Sequence, residues 1–127
     1  MNAPSPNPPP KELRVSKDKR QLTVLFSDEE VYAIEAELLR VSSPSAEVKG
    51  HGPGQRVTVH GKHDVEIMKI EPVGNYAVRI TFDDMHNSGI YSWSFLRELG
   101  AEREARWADY LAELDEKGLS REPALKR

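Results

Sequence analysis

The residues best placed for chemistry follow the clearest strand pattern in the sequence. Residues 76–82 alternate apolar and polar side chains, and Asp83, Asp84 and His86 come directly after them, followed by Gly89. Two carboxylates beside an imidazole can bind a divalent cation or raise the histidine pKa. The same residue types also satisfy backbone donors in a turn, and a glycine there permits a positive φ. The pattern favours turn chemistry and keeps a metal site as the alternative.

The other histidines give weaker signals. His60 and His63 flank a turn predicted at residues 61–62, where solvated side chains are the simplest interpretation, and His51 lies in a glycine-rich loop. None of the four histidines is followed two residues later by a carboxylate, so the usual core of a facial iron triad is missing. The chain also lacks the phosphate-binding loop and the GxSxG nucleophile elbow. We therefore predict no catalytic residues and no cofactor.

Composition excludes further classes of function. The 127 residues contain no cysteine, which removes thiolate catalysis, disulfides and cysteine-ligated metal centres. The charge of −3, from 18 Lys+Arg against 21 Asp+Glu, argues against broad phosphate neutralisation and so against a nucleic-acid partner. No stretch is apolar enough to span a membrane, and no secretory signal opens the chain. We expect a cytoplasmic protein with no membrane contact.

The elements that must position these residues follow from hydrophobic periodicity. Residues 1–10 contain five prolines and predict a disordered tail. Three short strands over residues 11–36 form an antiparallel meander, and a helix follows that must end before Pro44. A short strand is predicted at residues 57–59, longer strands follow over residues 65–70 and 76–82, and another short strand is predicted at residues 90–93. The core domain is expected to cover residues 11–118.

Two helices close the predicted domain. The first, from Ser94, ends at Gly100 in a left-handed conformation, and the second covers residues 101–117 and ends at Gly118. An apolar stripe from Trp107 to Leu114 on the second helix is expected to cover the sheet, with a homodimer contact as the alternative. Residues 119–127 are predicted to be a flexible tail. The fold class is α+β, with a small, mostly antiparallel sheet, a short helix after the third strand and two C-terminal helices packed on the sheet.

Three segments together resemble a known family. The chain is similar to the gamma-butyrobetaine hydroxylase N-terminal-like domain, in the free-standing bacterial form catalogued as a domain of unknown function. The segments that carry the resemblance are AELLRVSSPSAE at residues 36–47, IEPVGNYAV at residues 70–78, and FDDMHNSGIYSW at residues 82–93.

The resemblance implies a zinc site that this chain has lost. Relatives in carnitine biosynthesis hold a structural zinc with three cysteines and one histidine, and these positions fall on Ser43, Ser45, Val48 and His86. A hydroxyl is a poor zinc ligand and valine is none. We therefore expect no zinc, and His86 is expected to hydrogen-bond the segment from Ser43 to Ser45 instead.

The resemblance also implies an accessory role. The large iron- and 2-oxoglutarate-dependent catalytic domain of the hydroxylases cannot fit in this length, so enzyme activity is not implied. Similar domains occur fused to iron–sulfur carrier proteins, which points to cofactor-related machinery. We predict a non-enzymatic protein-interaction module with an unidentified protein partner, and Asp83, Asp84, His86 and Tyr91 on its functional edge. The alternative is a small metal- or ligand-binding protein that uses the Asp83/Asp84/His86 loop, with a divalent metal at His86.

Overall fold

A computed structural model describes residues 8–43, 59–84 and 89–122. Over these ranges the chain forms six strands and three helices in the order βββαβββαα. The strands and helices are β1 (Glu12–Val15), β2 (Gln21–Ser27), β3 (Glu30–Glu35), α1 (Ala36–Val41), β4 (Ile67–Val73), β5 (Ala77–Phe82), β6 (Gly89–Ser92), α2 (Trp93–Ala101) and α3 (Arg103–Glu116).

The first sheet is the predicted antiparallel meander, in the order β1-β2-β3. Leu22 and Val24 in β2 pair with Ile34 and Tyr32 in β3, so the alternating apolar positions of both strands share one face. Leu22, Val24 and Ile34 are completely buried. Because β2 is the central strand, β1 and β3 form the two edges of this sheet.

The short helix α1 follows β3 without a loop and is buried on every side. All six of its residues are buried, including Glu37 and Arg40. The helix ends at Val41, with Ser42 as its C-cap, which agrees with the predicted stop before Pro44. A surface helix buries only one face, so α1 is a central element of the core rather than a cover.

The second sheet is also antiparallel, in the order β4-β5-β6. The predicted strand over residues 76–82 is confirmed as β5, and Val78, Ile80 and Phe82 lie in the core. Gly74 makes the turn between β4 and β5 with a φ of 55°. Of the strand predicted at residues 57–59, only Val59 lies within the described residues, and it is buried but is not in a strand.

The two C-terminal helices are present, although their junction differs from the prediction. Ser92 caps α2 by accepting a hydrogen bond from the Phe95 amide at 3.2 Å. Gly100 does not end this helix in a left-handed conformation, and α2 continues to Ala101. The glycine is required for a different reason: a Cβ built on Gly100 would lie 2.3 Å from Cγ of Tyr32. Gly118 does end α3 with a φ of 65°, as predicted.

The apolar stripe of α3 packs mainly inward. Tyr110 and Leu114 are buried and Trp107 is partly buried, which supports the prediction that these three side chains pack against the core. Leu111 belongs to the same stripe, but it is 39% exposed because it lies at the margin of the covered face. None of the helices in the described part of the chain is both long and apolar enough to cross a lipid bilayer.

The α+β class is confirmed, and the strands form two three-stranded sheets instead of one. A backbone hydrogen bond from the Ile67 amide to the Lys19 carbonyl, at 2.8 Å, joins the two sheets beside β1 and β4. Residues 119–122, predicted as part of a flexible tail, make specific contacts. The carbonyls of Ser120 and Arg121 accept hydrogen bonds from the amides of Gly61 and His63, each at 2.9 Å.

Candidate functional site

The loop after β5 begins with a carboxylate that organises the backbone. The Asp83 side chain accepts a hydrogen bond from the Glu66 amide at 3.1 Å, and the Asp83 amide donates to the Glu66 carbonyl at 2.9 Å. This reciprocal pair fixes the start of β4 against the end of β5. Asp83 thus satisfies a backbone donor at the start of β4 rather than one within its own turn.

Asp84 lies between two cations. Its Oδ2 accepts from Nε of Arg40 at 2.9 Å and from Nζ of Lys62 at 2.6 Å. Arg40 is only 2% exposed, so its guanidinium has been removed from water and needs a negative partner. The carboxylate thus neutralises a buried charge on α1. Charge-assisted hydrogen bonds of this length are stronger than hydrogen bonds between neutral groups.

Tyr91, which was predicted on the functional edge, lies in the core. Its side chain is fully buried, and its hydroxyl donates to the Leu39 carbonyl of α1 at 2.5 Å. Burial raises the pKa of Tyr91 above its ordinary value, and a hydrogen bond with Ser43 opposes that shift. Gly89 permits this close packing, because a Cβ there would lie 2.6 Å from Oγ of Ser43 and 2.9 Å from the Tyr91 ring.

Several predicted site residues lie outside the described ranges. These are His86 and His51, together with Ser45 and Val48, two of the positions that the family resemblance was expected to match with cysteine ligands. Ser43 is described and is 1% exposed beside Tyr91. Within residues 8–43, 59–84 and 89–122, no three histidine, aspartate or glutamate side chains converge as metal ligands would. The hydrogen bond from His86 to the Ser43–Ser45 segment stays a prediction.

A second buried ion pair was not predicted from the sequence. Arg121 donates from Nε and Nη2 to both carboxylate oxygens of Glu37, at 2.8 and 2.7 Å, and the Tyr110 hydroxyl donates to Glu37 at 2.6 Å. The Arg121 guanidinium also lies 5.0 Å from the centre of the Trp107 ring. Burial, followed by the hydrogen bond to Glu37, raises the pKa of Tyr110. This Glu37 cluster fastens the C-terminal segment to α1.

The signal for both clusters was present in the sequence but was ambiguous. Glu37 and Arg40 are three residues apart, a spacing that normally indicates an ion pair on an exposed helix face. The flanking Leu38, Leu39 and Val41 leave no polar face for such a pair. A charged residue surrounded by apolar neighbours in a six-residue helix predicts a distant partner, but the sequence does not say which one.

His63 and His60 take no part in either cluster. His63 Nδ1 lies 2.8 Å from Oδ1 of Asp64 and 3.9 Å from Oε2 of Glu122, with its side chain 36% exposed. A turn is present, but it runs from Lys62 to Val65, where the Val65 amide donates to the Lys62 carbonyl at 3.1 Å. His60 and His63 therefore lie in a partly exposed loop whose backbone contacts the C-terminal segment.

An open groove with several apolar lining residues lies between the two sheets. The outer edge of β1 and the start of β4 bound a groove of about 560 Å³, which we call the β1–β4 groove. Val15 is 36% exposed and Met68 is 56% exposed. The residues that line the groove are Leu13, Val15, Ser16, Lys19, Ile67, Met68, Lys69 and Ile70.

Comparisons with known proteins place the chain in one family. The model of the gamma-butyrobetaine hydroxylase-like N-terminal domain matches residues 13–97. Two solution structures determined by NMR are each 43% identical to this chain, with a TM-score of 0.79. The first match covers 94% of this chain and 94% of the other chain. The second covers 100% of this chain and 98% of the other chain. No curated protein matches significantly.

A further similar structure has a described source. A crystal structure from Acidithiobacillus ferrooxidans, described as a protein of unknown function in the DUF971 family, is 33% identical with a TM-score of 0.62. The match covers 78% of this chain and all of that one. The family match spans well over half of the chain and includes β1 through most of α2. The chain therefore belongs to the gamma-butyrobetaine hydroxylase-like N-terminal domain family.

Proposed function

We propose that this domain is a non-enzymatic protein-interaction module that receives an extended segment of a partner protein in the β1–β4 groove. The observation that carries the proposal is the exposure of Val15 and Met68 on two adjacent edge strands. Exposed apolar side chains in a groove are common at protein-binding sites. The iron–sulfur or cofactor-related machinery implied by the family resemblance is the proposed source of the partner.

The loop after β5 supports this role indirectly. Asp83 binds the Glu66 amide, and Asp84 binds Arg40 and Lys62. Because Oδ2 of Asp84 accepts from both cations, these contacts fasten the loop to α1 and to Lys62. The loop thus has a structural task, whereas the exposed Val15 and Met68 side chains of the groove are not part of the hydrophobic core.

Capture from an extract of the native organism tests the proposal when it is performed with matched variants. Met68→Glu places a charge in the groove, and Tyr76→Glu places one at an equally exposed position, because both side chains are 56% exposed. Tyr76 lies in the turn between β4 and β5, outside the groove lining. Both full-length variants are first checked for a native circular dichroism spectrum.

The proposal predicts a protein that is retained by the wild type and by Tyr76→Glu, and lost from Met68→Glu. Retention of the same proteins by all three would contradict it. The alternative metal-binding function makes a different prediction: titration of the wild type with zinc, iron or manganese would shift the NMR signals of Asp84 and of the His86 side chain. Such shifts, with an unchanged capture pattern, would favour the alternative.

A further inference from the structure

We infer that the partner segment binds as an added β-strand along β1 and that it alternates apolar with acidic side chains. This inference rests on the proposed function and specifies the chemistry of the partner. It follows from the hydrogen-bonding register of β1, from the composition of β4, and from the charges at the rim of the β1–β4 groove.

Within residues 8–43, 59–84 and 89–122, the register of β1 directs its outer backbone groups away from the sheet. The Ser16 amide donates to the Gln21 carbonyl at 2.9 Å, which marks Ser16 and Gln21 as a hydrogen-bonded pair. In an antiparallel ladder such pairs alternate with pairs that are not bonded, so the main-chain groups of Leu13 and Val15 point away from β2. The side chains of these same two residues line the groove.

The facing edge of β4 is less able to accept a strand. Its Ile67 amide already donates to the Lys19 carbonyl at 2.8 Å, which closes one end of the groove. Further along, Pro72 has no amide hydrogen to donate. We therefore assign the main-chain contacts of the partner to β1, and the side-chain contacts to Met68 and Ile70 as well as to Leu13 and Val15.

The rim of the β1–β4 groove favours acidic side chains. Its two charged lining residues are Lys19 and Lys69, and no aspartate or glutamate is among the lining residues that the structure describes. Lys69 has a 3.3 Å contact with Glu71, in which both side chains are well exposed. Because an exposed pair of this kind is weak, Lys69 can exchange it for a carboxylate on a bound peptide. Apolar side chains directed into the groove and acidic ones at the rim require alternation along an extended peptide.

A peptide of defined sequence tests the inference directly. The probe is an acetylated and amidated octapeptide of alternating valine and glutamate, titrated into isotope-labelled full-length protein. We expect saturable shifts of the backbone signals of Leu13, Val15 and Met68. A second octapeptide with lysine in place of glutamate should bind about tenfold more weakly at low salt, and the double variant Lys19→Glu/Lys69→Glu should reverse this preference.

Two controls separate strand addition from simple apolar contact. N-methylation of alternate residues of the glutamate octapeptide, on the edge that faces β1, removes its main-chain donors and should abolish binding, whereas N-methylation on the opposite edge should not. Absence of saturable shifts at β1, equal binding of both charge types, or equal binding of both methylated peptides would each overturn the inference. If the octapeptide fails while Met68→Glu still loses a captured partner, the proposed function stands and only strand addition is contradicted.

Discussion

Glu37 and Arg40 of α1 are buried and meet an opposite charge, whereas Val15 and Met68 in the β1–β4 groove are exposed to water. Glu37 is 5% exposed and binds Arg121, while Arg40 binds Asp84. In the groove, Met68 lies largely in solvent. A buried charge without a partner is costly, so the α1 clusters constrain the fold, and changes there should act on stability. An exposed methionine contributes little to folding, so changes there should act on binding.

The largest expected effect is the loss of the partner of Glu37. Arg121→Ala leaves a buried carboxylate with only the Tyr110 hydroxyl as a donor among the described contacts, and we expect a loss of about 3 kcal/mol in the free energy of unfolding. Urea denaturation followed by circular dichroism measures this change. The double variant Glu37→Leu/Arg121→Leu removes both charges and should recover part of the loss.

Arg14→Ala provides the matched control for that experiment. Arg14 pairs with Glu12 at 2.7 Å, but its side chain is 69% exposed, so its removal should have little effect on stability. If Arg121→Ala unfolded at the same urea concentration as Arg14→Ala, the Glu37 cluster would not constrain the fold.

A smaller loss is expected at the loop after β5. Asp84→Ala leaves Arg40 and Lys62 without this carboxylate, and we expect a loss of about 2 kcal/mol, reduced because the Asp84 side chain is 23% exposed. Asp84→Asn should recover part of this loss, since the amide oxygen can still accept a hydrogen bond. Unchanged stability in Asp84→Ala, together with a loss of metal binding, would instead identify the loop as a metal site.

Alkaline pH should destabilise the protein through its buried tyrosines. Burial raises the pKa of Tyr91, and burial with the hydrogen bond to Glu37 raises the pKa of Tyr110. Below about pH 10 both the folded and unfolded states keep these protons, so the contribution is complete. Above about pH 10 the unfolded chain releases them first, and stability should fall by up to about 1.4 kcal/mol per pH unit for Tyr91.

Urea denaturation on either side of the ordinary tyrosine pKa, at about pH 8 and about pH 11, measures this alkaline loss. The Tyr91→Phe variant has no phenolic proton at this position, and its stability should decrease less between the two pH values than that of the wild type. Equal decreases in the two proteins would show that Tyr91 does not contribute.

The smallest effect on stability is expected in the groove. Met68→Glu should change the free energy of unfolding by no more than about 0.5 kcal/mol, because the side chain is already mostly in solvent. Thermal denaturation beside Tyr76→Glu checks this value. A large loss in Met68→Glu alone would show that the groove is part of the core, and the contrast with α1 would disappear.

The strands and helices could be predicted from the sequence because each follows a local rule. Alternation identified β2 and β5, a proline bounded the helix after β3, and Gly118 marked the end of α3. The role of Gly100 was missed because it depends on Tyr32, which is distant in sequence. Local rules likewise do not state how six strands divide into sheets.

The candidate site was less predictable because its contacts are long-range. Asp84 was correctly recognised as a charged residue at a strand end, but its partners Arg40 and Lys62 lie 44 and 22 residues away. Tyr91 was predicted on the functional edge, and its burial depends on the contact of its hydroxyl with the Leu39 carbonyl, 52 residues away. The β1–β4 groove arises from two strand edges far apart in the chain, so no single motif indicated it.

The division of roles between the groove and the ion pairs around α1 is tested by a groove variant and a variant of the Arg40 partner Asp84 in the same binding assay. A protein captured by the wild type is measured against Met68→Glu and Asp84→Asn at a temperature at which both variants are folded. We predict that Met68→Glu loses at least about tenfold in affinity and that Asp84→Asn binds as the wild type does. Loss of affinity in Asp84→Asn with normal binding by Met68→Glu would contradict this division and place the functional surface at the loop after β5.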